Sequence, residues 1–210
     1  MELKKAFVNS TVLSLAPAVT VAEIKTEALR KLIHFLIALT PLLAALSYPF
    51  AVSALGCGIL GYTVMEWLRL SGVQVPVVSA LTRMASRQRD IEGFVLGPVT
   101  LGLGALLPLV LFPFPVASIA IYALAFGDGF ASLAGKMYGR HRPACLFGKS
   151  VEGSLACFTA AFTCAALVSR NPVASFAVAL TAAAAEALPL EDYDNIVLPL
   201  AAGIVAQMVM

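Results

Sequence analysis

The sequence predicts an all-α fold, a polytopic transmembrane helix bundle of about seven spans. Three observations point there. Of the 210 residues, 60% are hydrophobic and only 12% are charged, with a mean hydropathy of +0.91; soluble domains carry about 25% charged residues. The apolar residues fall into runs close to the roughly 20 residues that cross a bilayer core, fewer where a helix sits inside a bundle. The charges, finally, gather at one end of those runs.

In chain order the expected spans are 32–48, 50–68, 93–112, 115–135, 151–169, 172–188 and 195–210. Proline rejects a continuing helix, so "YPF" at 48–50, "FPFP" at 112–115 and "RNP" at 170–172 mark tight breaks. "TAAAAEA" at 181–187 is alanine-rich helix. Residues 6–22 form a weaker eighth run. They follow Lys4 and Lys5 as a signal peptide would, but Asn9, Ser10, Thr11 and Pro17 interrupt the apolar core, so an interfacial or first membrane segment is expected. Two regions result: an N-terminal cytoplasmic or interfacial segment, 1–30, and a transmembrane catalytic domain, 31–210.

Seven crossings place the N-terminus and the loops 69–92, 136–150 and 189–194 on one side. All 14 basic residues except Arg170 fall on that side, which the positive-inside rule makes the cytoplasm. The 12 acids lie on or near the same side, although topology does not require it. That asymmetry suits a site fed from the cytosol. A transporter or channel should instead place polar groups at several depths and at both mouths. Nucleic acid is not an expected partner, since the basic residues are not massed on an aromatic-rich face. The four cysteines form no CxxC pair, and Cys57, Cys157 and Cys164 lie in apolar runs as small hydrophobes.

Several stretches could carry chemistry. In "FGDGFASLAGKMYG", 126–139, Asp128 sits between Gly127 and Gly129 at the end of an apolar run. A carboxylate at membrane depth survives when it faces a wet cavity, a cation or another charge. Asp128 is thus a candidate metal ligand or catalytic base, or else the partner of Lys136 or Arg140. In "FGKSVEGSLA", 147–156, Lys149, Ser150, Glu152 and Gly153 open an apolar helix. Free backbone N–H groups at a helix start suit phosphate; helix capping is the alternative reading of Ser150 and Glu152. A P-loop is excluded, because Pro143 stands where its first glycine belongs. Between these stretches Lys136, Arg140, Arg142 and Lys149 read as a polyphosphate cradle. Mg²⁺ binds through one or two carboxylates plus substrate phosphates, which makes Asp128 and Glu152 its expected ligands.

In "TEALRKLIHF", 26–35, Arg30, Lys31 and His34 cluster at the start of the first long span, with Glu27 three residues before Arg30. Glu66 and Arg69 lie one turn apart in "MEWLRL", and Glu186, Asp194 and Asn195 stand at two helix ends that could close a polar site.

Together "GDGFASLAGKMYG", "GKSVEGSLA", "AEA" and "DNIVLPL", with the N-terminal "E..RKLIH" and the "E..R" of Glu66 and Arg69, resemble the dolichol kinase, phytol kinase and CTP-dependent diacylglycerol kinase family. That family is distantly similar to phosphatidate cytidylyltransferases. The resemblance runs from about residue 27 to 203. It implies a multi-pass membrane enzyme that transfers the terminal phosphate of a nucleoside triphosphate, typically CTP, to a lipid alcohol such as a polyprenol, a phytol-like alcohol or diacylglycerol. By position it implies that Asp128 serves metal or phosphates and that Lys149, Ser150, Glu152 and Gly153, with Lys136 nearby, sit in the nucleotide site. Glu186, Asp194 and Asn195 would complete the polar face. A carboxylate or His34 would accept the hydroxyl proton. The alternative enzyme is a phosphatidate cytidylyltransferase forming CDP-diacylglycerol.

Overall fold

A computed structural model describes residues 21–73 and 93–210. The described residues form an all-α membrane helix bundle without strands. The eighth run lies mostly outside them, as do Arg83, Arg87 and Arg89.

The first rod consists of α1 (Val21–Phe35), a 3-10 turn (Leu36–Leu39) and α2 (Thr40–Leu46). The expected span 32–48 therefore corresponds to the end of one helix, a 3-10 turn and a second short helix, and the first helix begins well upstream. Pro41 explains the break: it has no N–H to give the Ile37 carbonyl, and the Thr40 N–H takes that carbonyl instead, tightening the turn. The other rods follow the expected runs closely. They are α3 (Tyr48–Leu70), α4 (Gly97–Leu111), α5 (Phe114–Tyr122) continuing into α6 (Gly129–Met137), α7 (Val151–Ser169), α8 (Pro172–Ala187) and α9 (Asp194–Val209).

By length and composition three rods are long and apolar enough to cross a membrane: α3, the α5–α6 rod and α7. The α5–α6 rod is the centre of the bundle, with 72% of its apolar window buried against 11% for α3. Around it α7, α8 and α9 pack in sequence, α4 lies on α9 and α3, and α1 lies on α6. The core between them is alanine-rich: Ala161 and Ala165 of α7 meet Ala179 and Ala182 of α8 and Ala202 and Ala206 of α9. Small side chains let helix backbones approach closely where lipid supplies no hydrophobic drive.

Between α5 and α6 the helix widens into one π-helical stretch, Ala123–Asp128. Asp128 ends this stretch, and its flanking glycines have separate packing roles. A Cβ on Gly127 would press on Cys157 Sγ of α7 at 3.3 Å, and one on Gly129 would overlap the Phe35 ring of α1. Phe35 also stacks with Phe126 and packs at a tilt against Phe130, ring centroids 5.9 and 5.2 Å away. The glycines thus let α1 and α7 close on the central rod at the depth of Asp128.

Candidate active site

A cavity of about 690 Å³ opens where α1, α3, α4, α6, the start of α7 and the α8–α9 connection meet. Asp128 and Lys149 both line it. From α1, Lys31 Nζ donates to Asp128 Oδ2 at 2.5 Å, and His34 Nε2 stands 3.3 Å from the same oxygen. The same His34 nitrogen donates to the Leu124 carbonyl at 3.0 Å, inside the π-helical stretch. All three side chains are buried. Placing Lys31 and His34 three residues apart on one helix face is what brings both to one carboxylate.

One turn nearer the helix start, Glu27 collects three donors: Arg30 at 2.6 Å, Ser132 Oγ at 2.5 Å and Lys136 Nζ at 2.5 Å. Burial alone would raise its pKa. Arg30, then the hydrogen bonds from Lys136 and Ser132, outweigh burial and hold the carboxyl at about 2. Glu27 therefore fixes α1 to α6 and holds two cations, Arg30 and Lys136, at the cavity wall.

At the opposite wall Lys149 reaches across to α8 and α9. Its Nζ donates to the Glu186 carbonyl oxygen, lies 3.1 Å from Glu186 Oε1 and is 3.8 Å from Asp194 Oδ2. Ser154 Oγ donates to Glu186 Oε2 at 3.2 Å. Ser150 caps α7, its hydroxyl accepting from Gly153 N at 3.1 Å. Arg142 clamps the loop between α6 and α7 by donating to the Gly148 and Gly135 carbonyls at 2.6 and 2.9 Å. Asn195 donates to Thr100 Oγ1 at 3.1 Å, tying α9 to α4.

Eleven of the residues expected at the site line this one cavity: Arg30, Lys31, His34, Asp128, Lys136, Lys149, Ser150, Gly153, Glu186, Asp194 and Asn195. Four lie elsewhere. Glu152 turns to the outer side of the loop, where Arg140 N, His141 N and His141 Nδ1 donate to it, the last at 2.7 Å. Arg140 is exposed on that loop. Glu66 is fully buried, receives Arg69 in two bonds of 2.9 and 2.8 Å, and accepts from Val95 N at 3.1 Å. Arg69 also donates to the Gly93 carbonyl. This pair thus staples the end of α3 to the start of the next rod. Both expected Mg²⁺ ligands are engaged by the protein and point apart, Asp128 to Lys31 and Glu152 to His141. Among the described residues no three His, Cys, Asp or Glu side chains converge as a metal site would require.

The sequence reading named Glu27 only as a neighbour of Arg30 and Arg142 only as a member of the expected polyphosphate cradle, and it passed over Tyr62. The spacing Glu27, Lys31, His34 already marks one helical face, and that signal sufficed to find Glu27. Tyr62 lies one turn before Glu66, lines the cavity and donates to the Val95 carbonyl at 3.2 Å.

Over 99 residues the chain is 32% identical to phytol kinase of Synechocystis sp.. The match covers 43% of this chain, which spans 42% of the length of that curated relative. No family model matches the chain, and no solved structure does. What the comparisons give is therefore a similarity to one kinase of the dolichol and phytol kinase type, over less than half of either protein.

Proposed function

We propose that the protein is a lipid-alcohol kinase that transfers the terminal phosphate of a nucleoside triphosphate, CTP, to the hydroxyl of a membrane alcohol. The observation that carries this reading is one shared cavity lined by Lys31, Arg30, Lys136, Arg142 and Lys149 together with the buried Asp128, with Glu186, Glu191, Asp192 and Asp194, and with apolar residues. Phosphoryl transfer needs chiefly positioning and neutralisation of charge. Five cations from α1, α6 and the following loop supply both once a triphosphate takes them over from their present partners, Asp128, Glu27, Glu186 and the Gly148 and Gly135 carbonyls. The similarity to phytol kinase supports the same reaction class.

In the proposed step the acceptor oxygen bonds to the γ-phosphorus and the bond from that phosphorus to the bridging oxygen breaks. The nucleoside diphosphate leaves with the electron pair. The hydroxyl proton passes to Asp128. His34 is the weaker acceptor, because its Nε2 already donates to the Leu124 carbonyl. Lys31 holds the Asp128 carboxylate ionised and in place. The donor set does not fit a resident metal, so Mg²⁺ is proposed as part of the substrate, carried on the nucleotide phosphates.

Purified protein with CTP labelled on the α- or γ-phosphate and a phytol-like alcohol, a polyprenol or diacylglycerol tests this. The γ-label should enter lipid. Entry of the α-label into lipid with release of pyrophosphate would indicate a cytidylyltransferase instead. Asp128→Asn should lower transfer by roughly a hundredfold or more, the scale of a lost general base, while the protein still inserts and binds nucleotide.

A further inference from the structure

We infer that the apolar limb of the cavity holds the hydrocarbon chain of a single membrane alcohol, lying along α3 at Ala54 and Gly58 and presenting its hydroxyl to Asp128. This rests on the reading of the charged limb as the phosphate-donor site. The two limbs belong to one cavity. Away from the charges its walls are Ile37 from the 3-10 turn of the first rod, Leu55 and Ile59 from α3 and Leu101 from α4, and Ala54 and Gly58 leave the slot between them. A water-soluble ligand would leave those walls wet, whereas a carbon chain removes them from water.

The direction of the opening identifies the source of the chain. Leu36 lines the limb and is 59% exposed. Only 11% of the apolar window of α3 is buried, so the slot opens sideways, onto a helix whose other surface suits hydrocarbon. The 3-10 turn Leu36–Leu39, tightened by Pro41, supplies Leu36 and Ile37 to the lining. The occupant is therefore an amphiphile entering from the bilayer: one chain in the limb and one hydroxyl at the charged end.

Gly58 makes the inference testable without disturbing the fold. A Cβ there meets nothing within 4 Å, and the same holds for Gly56 on the same helix, which does not line the cavity. Gly58→Leu and Gly58→Trp fill the slot, and Gly56→Leu is the control. The probes are a C20 isoprenoid alcohol with a terminal diazirine and a C5 prenol with the same head. Wild-type protein should crosslink the C20 probe in peptides of α3 and α4. Gly58→Trp should lose that crosslink. Gly58→Leu should lower kcat/KM for the C20 alcohol by roughly tenfold or more, the scale of overfilling a packed site, with the C5 alcohol and nucleotide binding unchanged. Gly56→Leu should behave as wild type. Unchanged crosslinking in Gly58→Trp, or equal labelling of the slot by a diazirine phospholipid, overturns the inference. Slot-specific crosslinking without any phosphate transfer would leave the limb intact and sink the kinase reading instead.

Discussion

Lys31 and Asp128 neutralise each other across 97 positions of chain, buried at the heart of the cavity. A buried ion pair adds little net stability, but removing one partner strands the other, at roughly 3–5 kcal/mol. Lys31→Met should therefore lower the thermal midpoint sharply, while Lys31→Met with Asp128→Leu should recover most of the loss and remain inactive. If the double variant melted as low as the single one, the pair would not be the source of the destabilisation. Glu27 makes a separate, pH-dependent contribution, since its segment precedes the first expected span. Its folded pKa is about 2 against an ordinary 4.5. A depressed carboxylate stabilises the fold fully above the unfolded value and loses that contribution as pH falls through the folded one. The difference in thermal midpoint between wild type and Glu27→Gln should be constant above about pH 5.5 and shrink steadily toward pH 2, with an upper bound on the order of 3 kcal/mol. A difference independent of pH over that range would remove the charge from the explanation.

At the scale of elements, close approach of backbones decides where the site residues stand. Gly104 of α4 packs so tightly that an added Cβ would overlap the Asn195 carbonyl oxygen at the start of α9, whereas Gly56 of α3 faces open space. Gly104→Ala should thus destabilise by about 1–3 kcal/mol and disturb the Asn195–Thr100 bond, and Gly56→Ala should be neutral or slightly stabilising, since alanine is the better helix former. Thermal unfolding in detergent separates them, and equal midpoints would contradict the packing of α4 on α9. The rods themselves were legible in the sequence, because proline breaks and run length act locally: "RNP" ends α7 and Asn171 caps α8 through the Val173 and Ala174 N–H groups. The π-helical stretch and the 3-10 turn at Leu36–Leu39 were not, since both need contacts or hydrogen-bond choices that no local pattern states. The same limit separates Glu152 from Lys149. Both belong to one motif, but the first turn of a helix points successive side chains in different directions, and only the fold decides which faces the cavity and which faces His141.

For the molecule as a whole, the uneven distribution of charge fixes what the bundle can do. Lys136, Lys149, Glu186 and Asp194 sit at helix ends around one cavity, while Arg170 marks the connection between α7 and α8 at their other ends. A triphosphate does not cross a bilayer, so a cavity that takes its phosphate from one must open toward the compartment that holds the nucleotide. In the proposed reading that compartment is the cytoplasm, as the excess of Lys and Arg expected from the sequence at that end predicts. Cysteine accessibility tests this arrangement directly. Cys145 is exposed in the loop between α6 and α7 beside the cavity mouth. With Cys57, Cys157 and Cys164 replaced by alanine, a membrane-impermeant maleimide should label Cys145 in inside-out vesicles and leave it unlabelled in right-side-out ones. Arg170→Cys in a cysteine-free background should give the reverse. Labelling of both positions from one side would require an even number of crossings between them, whereas α7 alone connects the two, so that result would dismantle the one-sided site and with it the route by which nucleotide and lipid alcohol meet.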